Sequence, residues 1–166
     1  LLKNNNPAQL SQLVGFARMF RDTKDHQIKG KIKPLWRELY IIIKDQLGNS
    51  EYQKIAANLG DWLGLVDKID NEISVWMKFS IKYMEHQGFL QDYLLTHSGT
   101  SPKEVGDIYV EMLNSGNYPT YKKENIIALV QALYDQAERD VANIICNMYG
   151  AKGILFLRET YERNNK

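Results

Sequence analysis

Arg21 and His26, with Asp22 directly after the arginine, come nearest to a catalytic set in type and spacing. Cleaving a phosphodiester needs a proton carrier that titrates near neutrality and a fixed cation for the phosphate, which an imidazole and a guanidinium supply. Other enzyme signatures do not occur in the chain. There is no G-x-x-x-x-G-K or G-x-G-x-x-G phosphate loop and no G-x-S-x-G nucleophile elbow. His26, His86 and His97 are scattered, and none stands in an H-E-x-x-H or E-x-x-H pattern, so no metal centre is expected. Cys146 falls beside Ile144 and Ile145 on the apolar side of a helical pattern, where a buried thiol is expected to be inert.

The Arg21/His26 spacing resembles the R-x(4–6)-H motif of HEPN-family ribonucleases, whose arginine and histidine handle the scissile phosphate and its proton transfers. That resemblance implies ribonuclease activity. The pair lies where a first helix gives way to a polar loop, earlier in the chain than the family places it. Six loosely specified positions also recur by chance in many chains. The residues themselves are therefore read as a non-enzymatic chain with no cofactor.

Charge placement is more informative. Residues 18–37 hold seven basic side chains, Arg18, Arg21, Lys24, Lys29, Lys31, Lys33 and Arg37, opposed only by Asp22 and Asp25. That stretch carries +5, and a formal charge of +1 overall leaves −4 for the rest. Such asymmetry in a nearly neutral protein points to a local electrostatic site. On an extended loop, Lys29, Lys31 and Lys33 would project to one side about 6.6 Å apart and could follow a phosphate backbone. Phe20 and Trp36 flank the patch and are read as core residues before stacking ones. Two smaller groups are Lys78, Lys82 and Tyr83, and Lys122 and Lys123 beside Tyr118 and Tyr121. Asp135, Glu138 and Asp140 would repel nucleic acid. No helix beside residues 29–33 joins a strongly basic face to an exposed apolar one, so no membrane partner is expected.

The elements that must position these residues read as helices. The chain is 166 residues and 19.3 kDa, with 44% hydrophobic and 25% charged residues, which excludes disordered and collagen-like classes. Its length suits one domain over residues 1–166. One cysteine cannot form an internal disulfide, which suits a reducing, cytoplasmic setting. Apolar residues recur at three and four. Asn6 and Pro7 read as the start of a first helix, Pro34 of a second, and Ser50 with Gln53 as a capping box for a third. The stripe Trp62, Val66, Ile69, Ile73, Trp76, Ser80 and Tyr83 predicts one long helix over 61–87. Ser101, Pro102 and Glu104 start another. Thr120 would cap a second long helix with the stripe Ile126, Val130, Leu133, Ala137, Val141, Ile144 and Met148, followed by a final segment over 154–163. The expected class is all-α, a helical bundle of about six to seven helices, two of them long.

These features favour a non-catalytic helical subunit or domain that binds nucleic-acid backbone within a larger nucleoprotein assembly. In size, helicity and charge placement the chain resembles the small helical subunits of CRISPR effector complexes. Those line a nucleic-acid channel without an active site and are in some systems produced from the end of a large-subunit gene. The start at Leu1 rather than methionine fits an omitted beginning or a piece of a longer polypeptide. The alternative is a helical protein–protein adaptor working through the 62–83 stripe or the four successive apolar residues Ile154, Leu155, Phe156 and Leu157. The two readings are compatible, since an assembly subunit also contacts other protein subunits.

Overall fold

Three punctuation signals set the start of helices much as the sequence implies. A computed structural model describes residues 6–20, 26–84 and 89–166. Asn6 caps α1 (Pro7–Ala17), its side-chain oxygen accepting from the Ala8 N–H at 2.9 Å. Helix α3 (Ser50–Asn58) starts one residue earlier than the Ser50 cap implies. Asn49 takes the cap and accepts from the Glu51 N–H at 2.9 Å. Helix α6 (Pro102–Asn114) has Ser101 at its cap and Pro102 in its first turn, yet the Ser101 hydroxyl accepts instead from the Ile69 N–H at 3.1 Å. The serine thus joins two distant segments rather than closing its own helix.

Among the described residues the chain is all-helical, with nine α-helices rather than six or seven: α1, α2 (His26–Lys44), α3, α4 (Asn71–Ile81), α5 (Leu90–His97), α6, α7 (Lys123–Asp135), α8 (Arg139–Ala151) and α9 (Arg158–Asn164). Both expected long helices are interrupted. Trp62 lies in a 3-10 segment (Leu59–Leu65), Val66 is extended, and the helix resumes only at Asn71. The second breaks between α7 and α8. Among the described residues no helix is long and apolar enough to cross a membrane.

Pro34 opens nothing; it sits inside α2. A proline there removes one N–H and presses on the carbonyl four residues back. That carbonyl belongs to Gly30, which like Pro34 is exposed and has open space where a Cβ would stand. Water can therefore serve the freed carbonyl. Burial of Ile32, Trp36, Leu39 and Ile43, at steps of four, three and four, extends the apolar face a turn ahead of the proline and holds the helix through it.

The chain packs as two compact units, residues 1–67 with 75–85 and residues 68–74 with 86–166. The first is centred on tryptophans. Trp36 meets Trp62 edge-on at 6.0 Å and Trp76 at 5.8 Å, and the Trp62 indole N–H donates to the Val14 carbonyl at 3.2 Å. The second gathers α5–α9 around Leu94, Ile108, Tyr109, Leu129, Ile145 and Tyr149, all fully buried.

Helices α6, α7 and α8 share one ending in which the next residue turns left-handed and two backbone bonds close back on the last turn. Gly116 (φ 89) and Gly153 (φ 73) hold that position after α6 and α8, and Ala137 (φ 65) holds it after α7. After α7 the Glu138 N–H reaches the Leu133 carbonyl at 2.9 Å and the Ala137 N–H reaches that of Tyr134 at 3.1 Å. A Cβ in that conformation costs about 1–2 kcal/mol, and glycine's extra unfolded-state freedom offsets about half. Ala137→Gly should therefore raise unfolding stability by about 0.5–1 kcal/mol in urea titration. Gly116→Ala and Gly153→Ala should lower it by a similar amount.

Candidate nucleic-acid interface

The helical state of residues 26–44 rearranges the basic segment. Lys29, Lys31 and Lys33 do not form an extended row, because on a helix Lys31 points about 200° round from Lys29. The residues that share a side are Lys29, Lys33 and Arg37, four apart and spanning about 12 Å along α2. Lys29 is only 23% exposed and pairs with Asp67 at 2.7 Å, which fixes its ammonium beside the helix. The Arg37 guanidinium lies 6.0 Å from the Trp76 ring centroid. Arg21 and Lys24 lie outside the described residues, as do the side chains of Arg18 and His26, so the Arg21/His26 pair acquires no geometry.

Aromatic side chains continue from this stripe within the same unit. Tyr40 lies 6.1 Å from Trp76 and 5.1 Å from Phe79, and Phe79 lies 5.9 Å from Tyr83. Tyr40, Phe79 and Tyr83 are half-buried, as is Lys78, and Lys82 is exposed. Trp36 is fully buried and belongs to the core. Phe20 is half-buried and packs edge-on against Phe16 at 5.0 Å.

In the second unit a group the sequence only hinted at is more developed. Tyr118 and Phe156 both pack edge-on against the buried Tyr149, at 5.5 and 5.2 Å. Each carries an ammonium over its ring: Lys152 lies 5.4 Å from Tyr118 and Lys123 lies 6.0 Å from Phe156. Lys122 stands 5.8 Å from Tyr121 and pairs with Asp92 at 2.6 Å. The hydrogen bond from Lys122, joined by one from Asn125, lowers the Asp92 carboxyl, and the same bond raises the Lys122 ammonium. Lys122 and Lys123 beside the two tyrosines are visible in sequence. Lys152 and Phe156 join them through the Tyr149 ring and the two cation–ring pairs, which no local spacing reveals.

Two further sequence expectations meet a physical environment. Cys146 is buried, and burial raises its thiol, which opposes the thiolate a nucleophile needs. The 154–163 segment is a turn and short helix, not one helix. Leu157 is buried, Phe156 half-buried, and Leu155 is 59% exposed beside an open groove of about 310 Å³ lined by Cys146, Ala151, Ile154 and Tyr161. Among the described residues no group of three or more His, Cys, Asp or Glu could hold a metal ion. Comparison with protein-family models, curated proteins and solved structures finds no match.

Proposed function

We propose that this chain is a non-catalytic helical module that binds nucleic-acid backbone as part of a larger nucleoprotein assembly. The observation that carries the reading is the stripe of Lys29, Lys33 and Arg37 along one side of α2, continued by the partly exposed rings of Tyr40, Phe79 and Tyr83. Cations aligned on a rigid element can neutralise successive phosphates, and neighbouring ring faces can take unpaired bases.

Fluorescence anisotropy with a labelled strand and a labelled duplex, at low and physiological salt, tests this. Lys29→Gln/Lys33→Gln/Arg37→Gln should weaken binding to every sequence and reduce the slope of log affinity against log salt by about 2. Lys31→Gln, on another side of the same helix, should change it little. Absence of salt-sensitive binding at low salt would overturn the proposal, and a strand recovered cut would overturn its non-catalytic part.

The exposure of Leu155 at its groove favours a second reading, a protein adaptor. An adaptor should lose its partner on Leu155→Asp and keep it when the α2 charges are removed.

A further inference from the structure

We infer that the second unit carries a stacking platform for single-stranded nucleic acid, formed by Tyr118, Tyr121, Lys123, Lys152 and Phe156. The inference rests on the nucleic-acid reading above and adds to it a second contact site and a strand type.

Its first support is charge. Residues 117–123 and 151–158 hold Lys122, Lys123, Lys152 and Arg158 and no carboxylate. Lys122 pairs with Asp92 at 2.6 Å and Arg158 with Glu162 at 2.8 Å, while Lys123 and Lys152 are exposed beside the Phe156 and Tyr118 rings. Those two segments are the ones the Tyr149 ring draws together through Tyr118 and Phe156. Cations and ring faces therefore alternate over one surface, each ammonium 5.4–6.0 Å from a ring centroid. Phosphates and bases alternate along a single strand in the same manner. A duplex offers phosphates but keeps its base faces stacked inside, so it can use only half of such a surface.

The second support is the way Tyr121 is held. The Tyr149 hydroxyl donates to the Pro119 carbonyl at 2.9 Å. The fully buried Gln91 side chain donates to the Tyr121 carbonyl at 3.0 Å, and Lys122 is tied to Asp92. The loop is thus fastened at three places within four residues, two through its backbone and one through the Lys122 side chain. Yet the Tyr121 ring is 74% exposed and packs no core. A large ring presented to solvent on an anchored loop meets a base without first ordering the loop, which is what preorganised binding requires. An acidic peptide could use the ammonium groups but would leave this ring face idle.

The test uses the full chain with an oligothymidylate of about fifteen nucleotides, within the range one small stacking fold covers, and a duplex of equal length. Tyr121→Ala/Lys123→Gln/Lys152→Gln should lower strand affinity at least about tenfold and duplex affinity by clearly less, since the duplex loses only the two cations. Tyr121→Phe, which keeps the ring, should bind like the parent chain. These three residues are exposed, so circular dichroism should match the parent chain. Strand binding that survives the platform variant but falls with the α2 variant overturns the platform and leaves the α2 reading intact. Strand binding that falls with the platform variant alone supports the platform and counts against the α2 stripe. Equal loss of strand and duplex, or displacement by polyglutamate as readily as by unlabelled strand, overturns the platform, because cations alone would then account for binding.

Discussion

Tyr149→Phe is expected to cost about 2–4 kcal/mol of stability, against about 1 kcal/mol for Tyr109→Phe. The two hydroxyls lie 2.9 Å apart in the core of the second unit, and Tyr149 also contacts the Pro119 carbonyl at 2.9 Å. A carbonyl can only accept, so the Tyr149 proton goes to Pro119 and Tyr109 must donate to the Tyr149 oxygen. The middle member cannot be removed without stranding its neighbours. Tyr149→Phe leaves a fully buried Tyr109 hydroxyl with no acceptor and also releases Pro119, whereas Tyr109→Phe leaves Tyr149 with its bond to Pro119. The double variant should cost less than the sum of the two, because the orphaned hydroxyl is gone. Urea unfolding of the three variants measures this, and equal costs for the two single changes would overturn the direction assigned to the chain.

The same pair makes the protein sensitive to alkali. Burial pushes the Tyr149 phenol up to about 12 and Tyr109 well above its ordinary value. Above about pH 10 the unfolded chain releases these protons and the folded one keeps them. The stabilising contribution is whole below about pH 10 and is lost as pH rises from there toward 12. Alkaline titration followed by tyrosinate absorbance and helix signal together should show the last part of the absorbance rise, that of the buried Tyr109 and Tyr149, coinciding with loss of helix rather than preceding it.

How much of this could be read from residues depends on what a pattern reports. Apolar spacing reports burial, and it did so well. Trp62, Ile69, Ile73 and Trp76 are all buried as their period implies. It does not report whether the backbone between them is continuous, and residues 66–70 leave the helix without breaking the count. After α7 the error is one of phase. The turn at Ala137 restarts the chain so that α8 buries Ala142, Ile145, Cys146 and Tyr149, while Ile144 from the expected stripe is 48% exposed. Pro34 misled for a different reason: its cost inside a helix depends on whether the carbonyl of Gly30 can reach water, which is a property of the folded surface. With residues 29–33 helical, the three-lysine row dissolved and a different stripe took its place. The aromatic and basic group of the second unit was half legible, since Tyr118, Tyr121, Lys122 and Lys123 are neighbours in sequence. Its other half arrives some thirty residues later, on the far side of a tyrosine whose role is to be buried.

Gly106→Ala should destabilise the protein by about 1–3 kcal/mol, although alanine is the better helix former by about 1 kcal/mol. Gly106 is buried on α6 where that helix meets α8, and a Cβ there would stand 2.8 and 2.9 Å from the two γ-carbons of Val141. Both methyl groups crowd the same point, and a β-branched side chain on a helix has essentially one allowed rotamer, so rotation gives no relief. The helices must separate instead. Val141→Ala removes both methyls and should recover most of the loss when combined with Gly106→Ala, giving a favourable coupling of about 1–3 kcal/mol in a double-variant cycle. Separation of α6 from α8 also draws Tyr109 away from Tyr149, because the two rings sit on those helices. Gly106→Ala alone should therefore start the alkaline transition at lower pH and loosen the Pro119 anchor that holds the Tyr121 loop. A Gly106→Ala protein about 1 kcal/mol more stable than its parent would mean that α8 can slide along α6 without cost. The close approach would then have no part in setting the tyrosine pair.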